Sequence, residues 1–115
     1  MLVVDDDAGV RDVCSTLLQV LGYDAAVASS GPKALETLNT REPQLVLLDL
    51  ELTGMAGEDV LRAVKAHCPD VRVLVMSGKP SRDLKGALAE GADGVLRKPF
   101  KMSDLDRSVG ALVRA

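Results

Sequence analysis

Five polar side chains, each placed directly after a short apolar run, are the residues of this sequence best suited to chemistry. Asp5 and Asp6 follow the first such run, Asp49 the third, Ser77 the fourth and Lys98 the fifth. The ends of parallel strands meet at one edge of a sheet, so we expect these side chains to converge. Three converging carboxylates repel one another, by about 4 kcal/mol for each pair at about 4 Å and an effective dielectric constant near 20. A cation must neutralise them, or their pKa values must rise.

The types of the candidate ligands indicate which cation. Oxygen ligands without a nearby His or Cys favour Mg²⁺, with Mn²⁺ as a substitute, and the ion would keep several waters. Lys98 supplies a second positive charge and Ser77 a hydroxyl donor, a combination that suits in-line phosphoryl transfer. A carboxylate can itself be the nucleophile and form an aspartyl phosphate. Asp49 is the best candidate because it stands alone at its strand end, whereas Asp5 and Asp6 are adjacent and suit ion binding.

The elements that must position these side chains are predicted from apolar periodicity, which alternates between short runs and helical stripes. Strands that are apolar throughout are covered on both faces, which indicates a parallel sheet with helices on each side. We therefore predict a single doubly wound α/β domain over residues 1–115, with strand order 2-1-3-4-5. In that order the reversal lies between strands one and three, which deliver the three aspartates. The predicted strands lie near residues 2–4, 24–28, 45–48, 71–76 and 93–96.

The helix boundaries carry their own signals. Gly22 is predicted to end the first helix and Ser30 to open the second. The last helix is predicted to begin near Ser103, with Asp106 at capping-box spacing. One apolar face of the first helix is predicted to comprise Val10, Val13, Cys14, Leu17, Leu18 and Leu21.

Composition excludes several classes of function. The chain has one Tyr, one Phe and no Trp, so the aromatic platforms that usually stack bases or flavin rings are absent. The net charge of −3 offers no electrostatic footprint for nucleic acid. No apolar run approaches the roughly 20 residues that span a bilayer, and two cysteines fit a reduced setting. We expect a cytoplasmic protein that binds neither nucleic acid nor membrane.

Simpler interpretations exist for each of these residues. Asp5, Asp6 and Asp7 would also serve as helix caps, since acidic residues suit the positive end of a helix dipole. For Asp7 we expect this capping role alone. Asp49 alone would be an ordinary turn residue, and Ser77 precedes a glycine, which is a common turn. The joint spacing of these residues with Lys98 favours the functional interpretation.

Four stretches of the sequence together resemble the receiver domains of bacterial two-component response regulators. The resemblance covers essentially the whole chain, and four motifs in the same order and spacing make it specific. It implies a flavodoxin-like sheet of the predicted order. The stretches are Leu2-Val3-Val4-Asp5-Asp6-Asp7, Leu45-Val46-Leu47-Leu48-Asp49-Leu50, Val75-Met76-Ser77-Gly78 and Arg97-Lys98-Pro99-Phe100.

The resemblance implies roles for the site residues. A phosphohistidine on a sensor histidine kinase or histidine phosphotransfer protein would donate to Asp49. Asp6 and Asp49 would bind Mg²⁺ directly, assisted by Asp5 and by the backbone carbonyl of Glu51. Ser77 and Lys98 would contact the phosphoryl group, and the peptide bond from Lys98 to Pro99 is often cis in the family.

The same resemblance implies a signalling domain rather than an enzyme. Slow self-phosphorylation from small donors and slow self-dephosphorylation are expected of it. The face formed by residues 81–113 is where the family usually dimerises or signals, so we expect at most a weak homodimer there. The abrupt first strand suggests a domain excised from a longer chain, and a free-standing receiver and a piece of a hybrid kinase or larger regulator both remain open.

Two positions depart from the family pattern. Thr53 stands where proline is common, and Val95 stands where an aromatic switch residue is common. Loss of that ring favours a receiver within a phosphorelay or hybrid kinase, where such a switch is dispensable. Glu51 and Lys79 lie at the mouth of the predicted site, and we hypothesise that they form an ion pair that limits water access to the phosphoryl group.

Three rival functions share part of the pattern. A haloacid-dehalogenase-type phosphatase also uses an aspartyl phosphate, but its nucleophile follows the first strand, the reverse of the order here. A flavodoxin-like FMN protein would need a Ser/Thr-rich phosphate loop and aromatic residues, which this sequence lacks. A pseudo-receiver that works without phosphorylation is disfavoured because the acceptor, the acidic pair and the lysine are all present.

Overall fold

The computed structural model describes residues 1–79 and 84–113, in which strands and helices alternate along the chain as predicted. The strands are β1 (Leu2–Val4), β2 (Ala26–Ala28), β3 (Leu45–Asp49), β4 (Arg72–Ser77) and β5 (Gly94–Arg97). The helices are α1 (Ala8–Val20), α2 (Gly31–Leu38), α3 (Gly57–His67), α4 (Leu84–Ala89) and α5 (Met102–Val113).

The described strands form one sheet in the order β2-β1-β3-β4-β5, and every neighbouring pair is parallel. The predicted fold class, strand order included, is confirmed. The order reverses at β1 and β3, whose register pairs Val4 with Leu48. The next residues along these two strands are Asp5 and Asp49, which therefore leave the sheet side by side at its carboxyl edge.

Two apolar clusters, one on each face of the sheet, hold the helices in place. Cys14 and Leu18 of α1 pack with Leu105 and Val109 of α5 on one face. The other face is covered by α2, α3 and α4 through a second cluster whose helical members include Leu38, Val60, Leu61, Val64, Leu84 and Ala87. All residues of β1 and β3 are buried, as expected of strands covered on both sides.

Helix ends in the first half of the chain follow the predicted signals. The side chain of Asp7 accepts hydrogen bonds from the amides of Gly9 and Val10, at 2.8 and 3.2 Å, and so caps α1. Gly22 follows Leu21, the C-cap of that helix, and has φ of 95°, a conformation that favours glycine. Ser30 caps α2 by accepting from the amide of Lys33 at 3.3 Å.

Two details of the helix predictions were wrong. Helix α5 begins at Met102, and the carboxylate that reaches back is that of Asp104, which accepts from the amide of Lys101 at 3.0 Å. The earlier start moves the capping position away from Asp106, which is exposed. Val13 is 57% exposed, because a residue next to Cys14 is rotated by about 100° around the helix from the face that meets the sheet.

The start of α3 packs unusually closely onto the chain that leaves β3. A Cβ atom at Gly57 would lie 2.4 Å from the Cα of Leu50, a backbone atom that cannot move aside easily. Glycine at this position therefore brings α3 against the residue that follows Asp49.

Among the described residues, none of the helices combines the length and the apolar character that crossing a membrane requires.

Candidate functional site

The structure brings the five predicted side chains together at the carboxyl edge of the sheet. Asp5 follows β1, Asp49 and Ser77 end β3 and β4, and Lys98 follows β5. Asp5, Asp49 and Ser77 are the polar residues buried in the described part of the chain, with relative exposures of 0%, 4% and 1%. Buried polar groups are costly unless they are paired, so their concentration at one edge marks a site.

The three aspartates form a group that fits a hard divalent cation. Asp5, Asp6 and Asp49 each offer a carboxylate oxygen, and these oxygens lie within 4.8 Å of one another. Oxygens that share one Mg²⁺ at about 2.1 Å lie no more than about 4.2 Å apart. A contraction of the group by about 0.6 Å would therefore bring its oxygens into the range of one such ion.

Lys98 places a positive charge between two of these carboxylates. Its Nζ lies 2.8 Å from Asp5 Oδ2 and 3.6 Å from Asp49 Oδ1. Burial alone would lower the pKa of Lys98, but the hydrogen bond to Asp5 and the charge of Asp49 outweigh it, and the pKa is raised. The lysine is therefore a fixed cation of the site.

The carboxyl group of Asp49 is held between opposing influences. Burial raises its pKa above the ordinary value, and the charges of Asp5 and Glu51 act in the same direction. The amide of Glu51 donates to Asp49 Oδ1 at 3.1 Å and, together with Lys98, partly offsets that rise. A carboxylate destabilised by burial but oriented by a neighbouring amide is well suited to react with an electrophile.

Asp5 is fixed more firmly than the other two aspartates. Its Oδ1 accepts from the amide of Asp7 at 2.9 Å, while its Oδ2 accepts from Lys98. Its backbone carbonyl accepts from the guanidinium of Arg11 at 2.8 Å. Both side-chain oxygens of Asp5 thus already have donors, which suits the assisting role in ion binding that was predicted for it.

Ser77 is engaged by Glu51. The Ser77 hydroxyl lies 2.9 and 3.0 Å from the two carboxylate oxygens of Glu51, and the amide of Gly78 donates to the same carboxylate at 2.8 Å. Glu51 therefore lies at the mouth of the site, as predicted. Among residues 1–79 and 84–113, however, no ion pair joins Glu51 to Lys79, so the hypothesised pair is not formed in this state. The contact of its carboxylate with the Ser77 hydroxyl and the Gly78 amide, at and just after the end of β4, takes its place.

One residue that contacts the site was not assigned to it by the sequence. The backbone amide and the hydroxyl of Thr53 both donate to Asp6 Oδ2, at 3.2 and 3.0 Å. The only sequence signal was that Thr53 departs from the proline common at this position. That departure identified the position but not the partner.

Four further features can be placed in the structure. Val95 is partly buried and packs against the cluster on the α2–α4 face. Cys14 is a core residue, and burial raises its pKa to about 11. His67 is exposed at the end of α3, and the Lys98–Pro99 peptide bond is cis. Of the predicted dimer face, residues 81–83 lie outside the described residues, and the dimer itself stays a prediction.

Comparison with known proteins gives a consistent result across nearly the whole chain. The family model described as response regulator receiver domain matches residues 1–110. The DNA-binding response regulator MtrA of Mycobacterium tuberculosis is 39% identical over 114 residues, which are 99% of this chain and 50% of MtrA. The regulatory protein LuxO of Vibrio parahaemolyticus is 38% identical over 113 residues, 97% of this chain and 25% of LuxO. The chain thus spans about half the length of MtrA and a quarter of LuxO.

Solved structures give the same picture. The receiver domain of NtrX from Brucella abortus is 30% identical and superposes with a TM-score of 0.93, covering 99% of this chain and 98% of that one. A CheY-like response regulator receiver domain protein from Methanospirillum hungatei is 25% identical, with a TM-score of 0.91 over 98% of this chain and 91% of that one.

Proposed function

The chain belongs to the response regulator receiver domain family, whose members act in phosphorelay signalling, and on that premise we propose that Asp49 is the residue that accepts the phosphoryl group. In this proposal Asp5, Asp6, Asp49 and the backbone carbonyl of Glu51 would hold a Mg²⁺ ion, for which Mn²⁺ can substitute.

The observation that carries the proposal is the position of Asp49 relative to Lys98 and the other two aspartates. Asp49 is buried at a strand end, 3.6 Å from the Nζ of Lys98, and belongs to the group of three carboxylates within 4.8 Å. Asp5 is already paired closely with Lys98, and Asp6 is exposed and bonded to Thr53. Both oxygens of Asp5 have donors, whereas within residues 1–79 and 84–113 the donors to the buried Asp49 reach its Oδ1, which leaves Oδ2 to react.

The proposed reaction is a phosphoryl transfer between two side chains. An oxygen of Asp49 bonds to phosphorus while the bond between phosphorus and the imidazole nitrogen of a phosphohistidine breaks, and the electron pair of that bond leaves with the imidazole. Lys98 stabilises negative charge on the phosphoryl oxygens, and the Ser77 hydroxyl and the Gly78 amide are available as further donors once Glu51 withdraws. A bound Mg²⁺ would supply additional charge neutralisation at the same oxygens.

We propose that the donor is a sensor histidine kinase or a histidine phosphotransfer protein. An apolar groove of about 530 Å³ lies directly beside the site and is lined in part by Val10, Val13, Lys98, Pro99 and Phe100. The 57% exposure of Val13 in this groove supports docking of a partner surface next to Asp49. The net charge of −3 does not favour DNA binding by this domain. We therefore assign DNA binding, which the name of MtrA records, to other segments of such regulators.

The proposal treats residues 1–115 as one phosphoacceptor domain, with slow self-phosphorylation and slow self-dephosphorylation. Incubation with Mg²⁺ and phosphoramidate or acetyl phosphate, followed by intact-mass measurement, tests it. We expect one phosphoryl adduct on the unaltered protein and none on Asp49→Asn. Asp59→Asn, which changes an exposed carboxylate on α3, should accept the group normally. An adduct of equal yield on Asp49→Asn would refute Asp49 as the acceptor.

A further inference from the structure

The three aspartates of the proposed metal site are held in position by different means. Asp5 is fixed by Lys98 and by the amide of Asp7, and Asp49 is oriented by the amide of Glu51. Asp6 is exposed. Within residues 1–79 and 84–113, the hydrogen bonds that its carboxylate accepts both come from Thr53.

These two bonds join loops that are far apart in the sequence. Asp6 lies between β1 and α1, whereas Thr53 lies 47 positions later, between β3 and α3. Both donors of Thr53 meet the same oxygen, Oδ2, which leaves Oδ1 of Asp6 for a cation. Two donors on one oxygen fix both the position and the rotation of an exposed carboxylate that would otherwise sample several rotamers.

A proline at position 53 would allow neither contact, because proline has no amide hydrogen and no hydroxyl. A valine would keep the amide bond and lose the hydroxyl bond. A serine would keep both. The chemistry of threonine is therefore matched to the carboxylate it faces, and the position offers a graded series of substitutions.

We propose that Thr53 is a positioning residue that holds Asp6 in the orientation required to bind the divalent cation. This inference rests on the proposed metal site and adds a residue to it. Carboxylates that bind metal are commonly oriented by hydrogen bonds from a second layer of residues, and removal of such a partner typically weakens binding about 10- to 100-fold. Because the amide bond survives in Thr53→Val, we expect about a 3- to 10-fold loss there.

The test is a calorimetric titration of the metal-free protein with MgCl₂ after treatment with a chelator. Thr53→Val should weaken Mg²⁺ binding by the stated factor, and Thr53→Ser should bind within about twofold of the unaltered protein, since it restores the hydroxyl. Thr40→Val is the matched control, because the Thr40 hydroxyl bonds to the carbonyl of Thr37, away from the site. Thermal unfolding without metal verifies that each variant is folded.

The outcomes separate this inference from the proposal beneath it. Unchanged or tighter Mg²⁺ binding by Thr53→Val would overturn the role of Thr53, as would a Thr53→Ser variant as weak as Thr53→Val. Asp6→Asn serves as the reference. If Asp6→Asn weakens binding and Thr53→Val does not, the metal site stands and only the inference about Thr53 fails. If the unaltered protein binds no Mg²⁺, or Asp6→Asn binds it equally well, the metal site fails and the role of Thr53 fails with it.

Discussion

The carboxylate of Glu51 lies against the hydroxyl of Ser77, with both of its oxygens within 3.0 Å of the serine Oγ. The amide of Gly78 donates to the same carboxylate. A negatively charged side chain therefore occupies the hydroxyl and amide that we propose as donors to a phosphoryl group on Asp49. In this state the domain's own side chain satisfies the proposed donors, and that side chain would have to withdraw before they could bind a phosphoryl group.

Removal of this competitor should speed phosphorylation. We expect Glu51→Ala to form the adduct with phosphoramidate about tenfold faster than the unaltered protein, which corresponds to about 1.4 kcal/mol, close to the lower value for hydrogen bonds to charged groups. The backbone amide and carbonyl of residue 51 remain. Time-resolved intact mass gives the rate, and Glu36→Ala on the exposed surface of α2 is the control. A rate equal to or below that of the unaltered protein would contradict the competition between Glu51 and the phosphoryl group.

The same samples test the hypothesis about Lys79. The hypothesis now requires that Glu51, after it withdraws from Ser77, pairs with Lys79 over the phosphoryl group. After removal of the donor, Glu51→Ala and Lys79→Ala should therefore both change the lifetime of the adduct. Identical decay of both variants and the unaltered protein would eliminate the ion pair as a control on hydrolysis.

Lys98 should stabilise the fold as well as the site. Lys98→Met leaves the fully buried carboxylate of Asp5 without its ion-pair partner, and removal of one partner of a buried pair costs about 3 kcal/mol at the lower end of the usual range. Urea unfolding without divalent ions measures this loss. Addition of Mg²⁺ should restore part of it, because the cation neutralises the same carboxylates. Lys33→Met, which removes an exposed amine that bonds to the Ser29 hydroxyl at 3.2 Å, should be neutral. Equal stability of Lys98→Met and Lys33→Met would show that Asp5 does not depend on the lysine.

A second charged cluster, remote from the site, should give the fold an acid-sensitive element. Asp93 accepts from Lys65 and from the amide of Val73, both at 2.8 Å, and from Arg72 at 3.4 Å. Burial would raise the pKa of Asp93, but the hydrogen bond from Lys65 and the other donors outweigh it, so the pKa is lowered. A carboxyl group with a lowered folded-state pKa contributes stability above its unfolded pKa of about 3.9 and loses it as the pH falls through the folded value.

Asp93→Asn should therefore be less stable than the unaltered protein at pH 7, by about 1–2 kcal/mol. The difference should shrink as the pH falls below about 4, where the native carboxyl group takes up its proton. Urea unfolding at several pH values measures both. Asp59→Asn, in an exposed pair with Arg62, should change stability by no more than about 0.5 kcal/mol, both at pH 7 and below about pH 4. A gap between Asp93→Asn and the unaltered protein that does not vary with pH would contradict the lowered pKa.

Much of the fold was predictable because apolar strands and helix-end signals are local. The ends of β1, β3 and β4 placed Asp5, Asp49 and Ser77 correctly, and the strand order followed from the sheet type. The errors were also local. A start of α5 one residue earlier than expected moved the cap from Asp106 to Asp104, and a periodic pattern could not show that Val13 faces outward.

The sequence predicted which residues lie in the site better than it predicted which of them bond to one another. The sequence placed Glu51 at the mouth of the site. In the structure its carboxylate bonds to Ser77 and not to Lys79, because the paths of the loops after β3 and β4 decide which neighbour it reaches. The bond from Thr53 to Asp6 likewise depends on the relative position of the loops after β1 and β3. Residue type and spacing identify which side chains meet at an edge, whereas loop geometry decides which of them bond.

The pairing of Asp5 with Lys98 joins residues 93 positions apart, one near the start of the chain and one that a ribosome adds long afterwards. Synthesis proceeds from the amino terminus, so a nascent chain carries its aspartates well before it carries their cation. An incomplete or cleaved chain that ends before β5 would carry Asp49, the proposed acceptor, without Lys98, the proposed cation. Under the proposed function, such a chain would not accept the phosphoryl group efficiently, so signal reception would depend on completion of the fold.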